Sequence, residues 1–261
     1  FSKMTKLKSI NLLGSAVKEI KGLAAAGTNL KILELGSTQI SSLDVTQNTE
    51  LQKLNLSYVK GITTLDLSNN THLTELTTNN SGIRELKLGS KNGLKNINVS
   101  NSKLSSLDIS EAGTIENIAV GLQTDATGKN QQIKVTMTQN VSEIGDEAFL
   151  NRVGLTNIDF TNVASPAEMR IGTRAFMYTK LEQYPIPANT VSIGEGAFES
   201  DLKMRNVVNI QQKELVFPEG LKEIGERAFL HNIALEKVKL AKTVESIGAY
   251  AFGSCANMQE F

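Results

Sequence analysis

The residues able to do chemistry are few. His72 and His231 stand 159 positions apart, and metal ligation needs three or four donors gathered at one point. Cys255 is the single cysteine, so no internal disulfide forms. Ser and Thr are abundant, but none lies in a nucleophile elbow. Gly194-Glu195-Gly196 lacks the third glycine and the lysine of a phosphate-binding loop. One acidic series recurs: Asp44, Asp66 and Asp108, each set between two aliphatic residues. Ca²⁺ takes six to eight oxygen ligands, so a column of such carboxylates offers a calcium site. The alternative is a solvated edge, favoured by the lack of a D-x-D-x-D-G loop. No catalytic, cofactor or metal residue is assigned, and a non-enzyme is expected.

Composition agrees with that expectation. The chain has 261 residues, with 27 basic and 27 acidic side chains and a formal net charge of zero. Nucleic acid, which calls for a basic surface, is not an expected partner. Hydrophobic residues make up 40%, enough for a real core. No apolar run approaches the roughly 18 residues of a membrane span, so these residues insert in no membrane. No basic stretch followed by an apolar run opens the chain. It is expected to be either cytosolic or a trimmed exported product.

What must position any functional residue is a repeat. In the first half, Leu7-Ile10-Leu12, Leu30-Leu33-Leu35, Leu51-Leu54-Leu56, Leu73-Leu76, Leu94-Ile97-Val99 and Ile115-Ile118-Val120 follow one another at intervals of 23, 21, 22, 21 and 21 residues. Between them lies a second series: Ile40-Leu43-Val45, Ile62-Leu65-Leu67, Ile83-Leu86-Leu88 and Leu104-Leu107-Ile109. A period of 11 is conceivable. A coil that encloses two facing apolar rows needs 20–29 residues, so the spacing predicts about 21 with two apolar edges per coil. The alternation of the last positions predicts strands.

The second half carries I-G-x-x-A-F five times, with Ile144, Ile171, Ile193, Ile224 and Ile247 at intervals of 27, 22, 31 and 23. Strand-like runs follow, as in Leu155-Ile158-Phe160, Leu181-Tyr184-Ile186 and Leu235-Val238-Leu240. The long intervals imply insertions, near 162–168 and between Met204 and Phe217. Stacked coils place equivalent residues in columns. Phe149, Phe176, Phe198, Phe229 and Phe252 are therefore predicted to form a spine. The glycines either take φ > 0 or allow close approach of coils. The G-x-x-A-F segment has room for one short helical turn.

These motifs resemble two leucine-rich-repeat subtypes, over about residues 5 to 261. Segments such as Ile62-Thr63-Thr64-Leu65-Asp66-Leu67 resemble the 21-to-22-residue repeats of internalin-like and gut-bacterial surface proteins. The I-G-x-x-A-F copies resemble the BspA-type repeat, in which a Cys often follows. Cys255 holds that place, while Arg152, Thr179, Asp201 and Asn232 stand there in the other copies, so the Cys reads as a packing residue. The Asn usual after the first-half strand is replaced by Ser15, Thr38, Val59, Ser81 and Ser102. Hydroxyls partly substitute, or Asn48 and Asn70 serve the loop instead. The resemblance implies an α/β, β-rich fold: a right-handed leucine-rich-repeat solenoid with a parallel strand per coil on the concave face. Short strands or one-turn helices are expected on the convex side. It also implies an exported or cell-surface bacterial protein concerned with adhesion or binding of host proteins.

The seam between the subtypes falls at 121–132, which is polar. It is either an interdomain linker or a loop within one stack. Strand alternation resumes at Ile133-Val135-Met137 and no polar caps flank it, so a single continuous solenoid over 1–261 is expected. Its sub-regions are 1–120, the seam at 121–132, and 133–261. Both ends look uncapped, as in a fragment of a longer repeat protein.

Binding is the remaining function. Outward residues between the Leu positions are placed on the concave face: Lys31, Glu34, Lys53, Asn55, Tyr58, Glu75, Thr77, Lys95, Asn98, Asp159, Glu182, Lys237 and Lys239. This strip is polar and mixed in sign, with Tyr58 its only large aromatic. A protein partner fits it best. A structural spacer or stalk is one alternative, and glycan binding, which favours stacked aromatics, is another.

Overall fold

The computed structural model describes residues 3–91, 93–112, 117–120, 133–137, 142–151, 155–160, 168–200 and 212–261. Two rows of short parallel strands run through it. The first row begins with Ser9–Asn11, Ile32–Glu34, Lys53–Asn55, Glu75–Thr77, Asn96–Asn98 and Asn117–Ala119. It resumes as Glu143–Ile144, Met169–Ile171, Thr190–Ile193, Glu223–Ile224 and Ser246–Ile247. The two stretches lie side by side, and the Val120 N–H donates to the Ala148 carbonyl at 3.1 Å. The second row contains Thr64–Asp66, Glu85–Lys87, Ser106–Asp108, Ile133–Thr136 and Leu155–Asp159, then Glu214–Val216 and Lys237–Lys239. This is a parallel-strand solenoid.

The leucine spacing explains both rows. In a strand, alternate side chains face opposite ways. Leu33, Leu54, Leu76 and Ile97 of the first row pair in register, and Leu65 with Leu86 in the second. Strand centres from both rows enter one shared apolar core. Flanking residues of the two rows therefore face away from each other. The ten-to-eleven-residue offset read in the sequence is the half-coil from one row to the other.

The predicted spine is present. Phe149, Phe176, Phe198, Phe229 and Phe252 stack at centroid separations of 5.1 to 5.2 Å, with interplanar angles of 4° to 18°. Tyr184, Phe217 and Phe261 meet it edge-on.

The expected helical turn in G-x-x-A-F does not form. Glu147, Arg174, Arg227 and Tyr250 take φ of 53° to 56°, and Gly196, at the same place, takes 58°. That left-handed residue breaks the helical path and turns the backbone outward. The N–H groups of Phe149, Phe176, Phe198 and Phe229 then donate to Ala175, Ala197, Ala228 and Ala251 of the next coil at 2.7 to 2.8 Å. The sole helical element among the described residues is a 3-10 segment, Leu23–Asn29. No helix there is long and apolar enough to cross a membrane.

For the motif glycines, close approach is the reason. A Cβ on Gly172, Gly194 or Gly225 would lie 2.6 to 2.7 Å from backbone atoms of the preceding coil, and one on Gly248 closer still. The left-handed conformation falls two residues later.

Candidate recognition surface

The structure separates the predicted surface residues. Lys31, Glu34, Lys53, Asn55, Tyr58, Glu75, Thr77, Lys95 and Asn98 belong to the first row or its edges. Asp159, Lys237 and Lys239 belong to the second row, and Glu182 lies in a bend outside any strand. The leucine runs after A-F look like first-row repeats, but the two- to four-residue strands that include the motif Ile continue that row. The second-half equivalents of Lys53 and Glu75 are therefore Glu143, Arg170, Ser192, Glu223 and Ser246, which align in register. The signal was available: each sits immediately before the Ile of the repeated motif.

Several predicted contacts are engaged within the chain. The Lys53 ammonium lies 3.4 Å from Glu34 and 3.3 Å from Glu75, and these carboxylates, Glu75 foremost, hold its pKa above the usual lysine range. Asn55 Oδ1 accepts from the Ser57 N–H at 2.9 Å, and Asn98 Oδ1 from the Ser100 N–H at 3.1 Å. Tyr58 stays 55% exposed. In the second row Lys237 meets Glu260 at 2.5 Å and Lys239 meets Glu214 at 2.7 Å.

The recurring aspartates have a local task. Oδ1 of Asp44, Asp66 and Asp108 accepts the N–H of Thr46, Ser68 and Ser110 at 2.9 to 3.0 Å. Each closes a turn, which for Asp66 and Asp108 ends a strand. Those backbone bonds lower the pKa of Asp44 and Asp66. Among the described residues no three His, Cys, Asp or Glu gather as a metal site would require. His72 lies 3.4 Å from Glu50, and His231 takes φ of 65° in a turn of the other repeat type.

Interior polar ladders hold the surface in place. Asn48 donates to Leu23 and Gly27 carbonyls, and Asn70 to Val45 and Asn48 carbonyls at 3.0 and 2.8 Å. One coil further on, Lys91 occupies the place of the Asn. It is fully buried, and its amine donates to the carbonyls of Leu67, at 2.8 Å, Leu88 and Ser90. Burial pushes its pKa down to about 8, partly opposed by Asp66. Sequence reasoning missed Lys91, although 48, 70 and 91 keep the coil spacing. Thr38 donates to the Leu35 carbonyl at 2.7 Å, and Ser81 Oγ accepts the Ile83 N–H at 3.3 Å. At the Cys position, Thr179, Asn232 and Cys255 donate to the carbonyls of Phe176, Phe198 and Phe229. Burial raises the Cys255 pKa, which suppresses the thiolate. Arg152 and Asp201 lie outside the described residues.

Along the first row runs a furrow. A hollow of about 270 Å³ is lined by Thr77, Asn96, Asn98, Ala119 and Asp146. Sharing Asp146, one of about 440 Å³ continues past Arg170, Ser192, Glu223 and Ser246 over Gly172, Gly194, Gly225 and Gly248.

The sequence profile of the BspA type leucine rich repeat region matches in six copies, over 47–165 and 122–259. The chain belongs to this family. Among solved structures, this BspA-type chain is similar to a leucine rich cell surface protein from Faecalibacterium prausnitzii A2-165, at 15% identity and TM-score 0.39, over 97% of this chain and 78% of that one. It is also similar to an internalin from Listeria monocytogenes, at 14% identity and TM-score 0.34, over 99% and 87%. A third is a leucine-rich repeat protein from Bacteroides ovatus, at 13% identity and TM-score 0.27, over 99% and 79%. No curated protein matches the BspA-type sequence.

Proposed function

We propose that this chain is a non-enzymatic interaction module, displayed at a bacterial surface or secreted, that binds a protein partner along the outer side of its first strand row. The furrow carries this reading. It runs along the coils, it is lined by polar side chains of both signs, and its sides are set by a rigid strand ladder. A polypeptide fits such a lining better than a glycan, which would lack aromatic rings to stack on. A role in adhesion and one continuous solenoid over 1–261 belong to the same reading.

A spacer is the second reading, and the second row favours it. There Lys213 pairs with Glu236, Lys237 with Glu260 and Lys239 with Glu214. Each pair links adjacent coils and leaves little charge for a partner.

The test is binding of the immobilised protein to a panel of purified extracellular host proteins, by interferometry at micromolar concentration. Ser192→Trp fills the furrow, and Thr64→Trp places the same bulk on the second row. Binding lost with the first and kept with the second is the expected result. No binding to any panel member favours the spacer. Binding indifferent to Ser192→Trp removes the first row from consideration.

A further inference from the structure

We infer that the second-half stretch of the furrow docks an extended, basic segment of the partner polypeptide. This rests on the protein-recognition reading above and narrows it to one partner chemistry.

The floor comes first. Position three of the first-row strand is Asn11, Glu34, Asn55, Thr77, Asn98 and Ala119 in the first half. In the second half it becomes Gly145, Gly172, Gly194, Gly225 and Gly248. At the last four of these the coils approach too closely for a Cβ. The packing that excludes side chains also leaves a bare strip of backbone open to a ligand. Its own N–H groups are spent in the ladder, as when Gly172 donates to Ile144 and Gly194 to Ile171 at 2.8 Å. The strip therefore offers a flat contact, and specificity falls to the banks. Parallel strands lie about 4.8 Å apart, so the strip from Gly145 to Gly248 is about 19 Å long. That is about six residues of extended chain.

The banks are acidic. Glu143 and Glu223 stand on one side with Arg170, Ser192 and Ser246. Asp146 lines the hollow beside the glycines, its Oδ1 accepting the Thr173 N–H at 2.7 Å. Three carboxylates thus face one guanidinium along the hollow, in a chain whose formal net charge is zero. Among the described residues neither Glu143 nor Glu223 takes part in an ion pair, whereas Lys213, Lys237 and Lys239 of the second row pair with carboxylates of adjacent coils. A counter-charge from outside suits this strip, and Lys or Arg on alternate residues of an extended segment would supply it along one bank. Acidic segments and polyanions are repelled.

The test uses fluorescence anisotropy of two labelled peptides, one alternating Lys and Ser, the other alternating Glu and Ser. The protein is expected to bind the basic peptide with salt-sensitive affinity and to ignore the acidic one. Glu143→Lys and Glu223→Lys should each weaken binding about fivefold, Ser192→Trp should abolish it, and Glu85→Lys on the second row should leave it unchanged. Equal affinity for both peptides, or equal effects of Glu85→Lys and Glu223→Lys, overturns the inference. A panel protein that binds through the first row but resists Glu143→Lys and Glu223→Lys defeats this inference alone. Failure of every panel protein to bind defeats the broader reading instead.

Discussion

Phe198→Ala probes the spine at its centre. The ring is 3% exposed and lies 5.2 Å from both Phe176 and Phe229, with Tyr184 edge-on at 5.6 Å. Removing it leaves a gap that cannot close. The Phe176 and Phe198 N–H groups hold adjacent coils at fixed spacing through bonds of 2.8 and 2.7 Å to Ala197 and Ala228. A site that cannot collapse costs toward the top of the range for Phe-to-Ala, about 4–5 kcal/mol. In a chain of this size that lowers the thermal midpoint by about 10 °C. Phe252 stacks on one side only, at 5.2 Å to Phe229, and is half-buried, so its loss should cost about 2–3 kcal/mol. Lys53→Ala, which removes an exposed cation, should change stability by about 0.5 kcal/mol or less. Urea unfolding followed by far-UV circular dichroism measures all three. Hydrogen exchange should then locate the Phe198→Ala damage in coils near residue 198 and not around 53–77, because coil interfaces act between neighbours. A cost below about 2 kcal/mol, or a larger cost for Phe252→Ala, would refute the stacked-column argument.

Lys91 gives a pH signature. Its folded pKa of about 8 is below the ordinary 10.5, so between these values the unfolded chain holds more protons and stability rises with pH. The full gain is about 3 kcal/mol. Urea midpoints near neutrality and near pH 10 should show that rise in the natural protein and lose it in Lys91→Asn, while Lys91→Ala, which strands buried carbonyls, costs a further 1–3 kcal/mol or so. Gly225→Ala pushes a methyl within 2.6 Å of the Glu195 nitrogen; loss of more than about 3 kcal/mol is expected, read by the same urea titration. Asp66→Asn keeps the turn to Ser68 but not the charge. The lowered Asp66 pKa contributes stability above the unfolded carboxylate pKa that disappears as pH falls through the folded value, so the variant should show a shallower acid loss in a pH series of midpoints. Tyr250→Gly relieves a φ of 55° at an exposed side chain and should stabilise by up to about 1 kcal/mol, measured calorimetrically.

The spine and the first-half rows were legible because a recurring Phe or Leu can recur at coil spacing only by stacking. The phase of the second half was not. A strand as short as Glu143–Ile144 carries little alternation, whereas Leu235-Val238-Leu240 copies the first-half pattern closely and belongs to the other row. Sequence spacing consequently groups Asp159, Lys237 and Lys239 with Lys53, whereas the structure sets them in the other row. The missing helical turn had one clue, Gly196. Glu147, Arg174, Arg227 and Tyr250 hold the same left-handed place without a glycine, because neighbouring coils fix the backbone. Lys91 is a surface residue by type; only its register with Asn48 and Asn70 reveals a carbonyl cage.

Carrying a first-row strand in each turn, with second-row strands set half a turn away, gives this architecture a frame, much as codons do. Excision or duplication of 21 or 22 residues keeps both sheets in step, because Leu33, Leu54 and Leu76 succeed one another at that distance. Loss of half as many would join a first-row edge to a second-row edge. Asx-capped strands would then face the wrong sheet, and the defect would propagate to neither end but sit as a fault across the stack. Growth and shrinkage of such a protein are therefore quantised in whole turns, and its length is a natural variable where its cross-section is not.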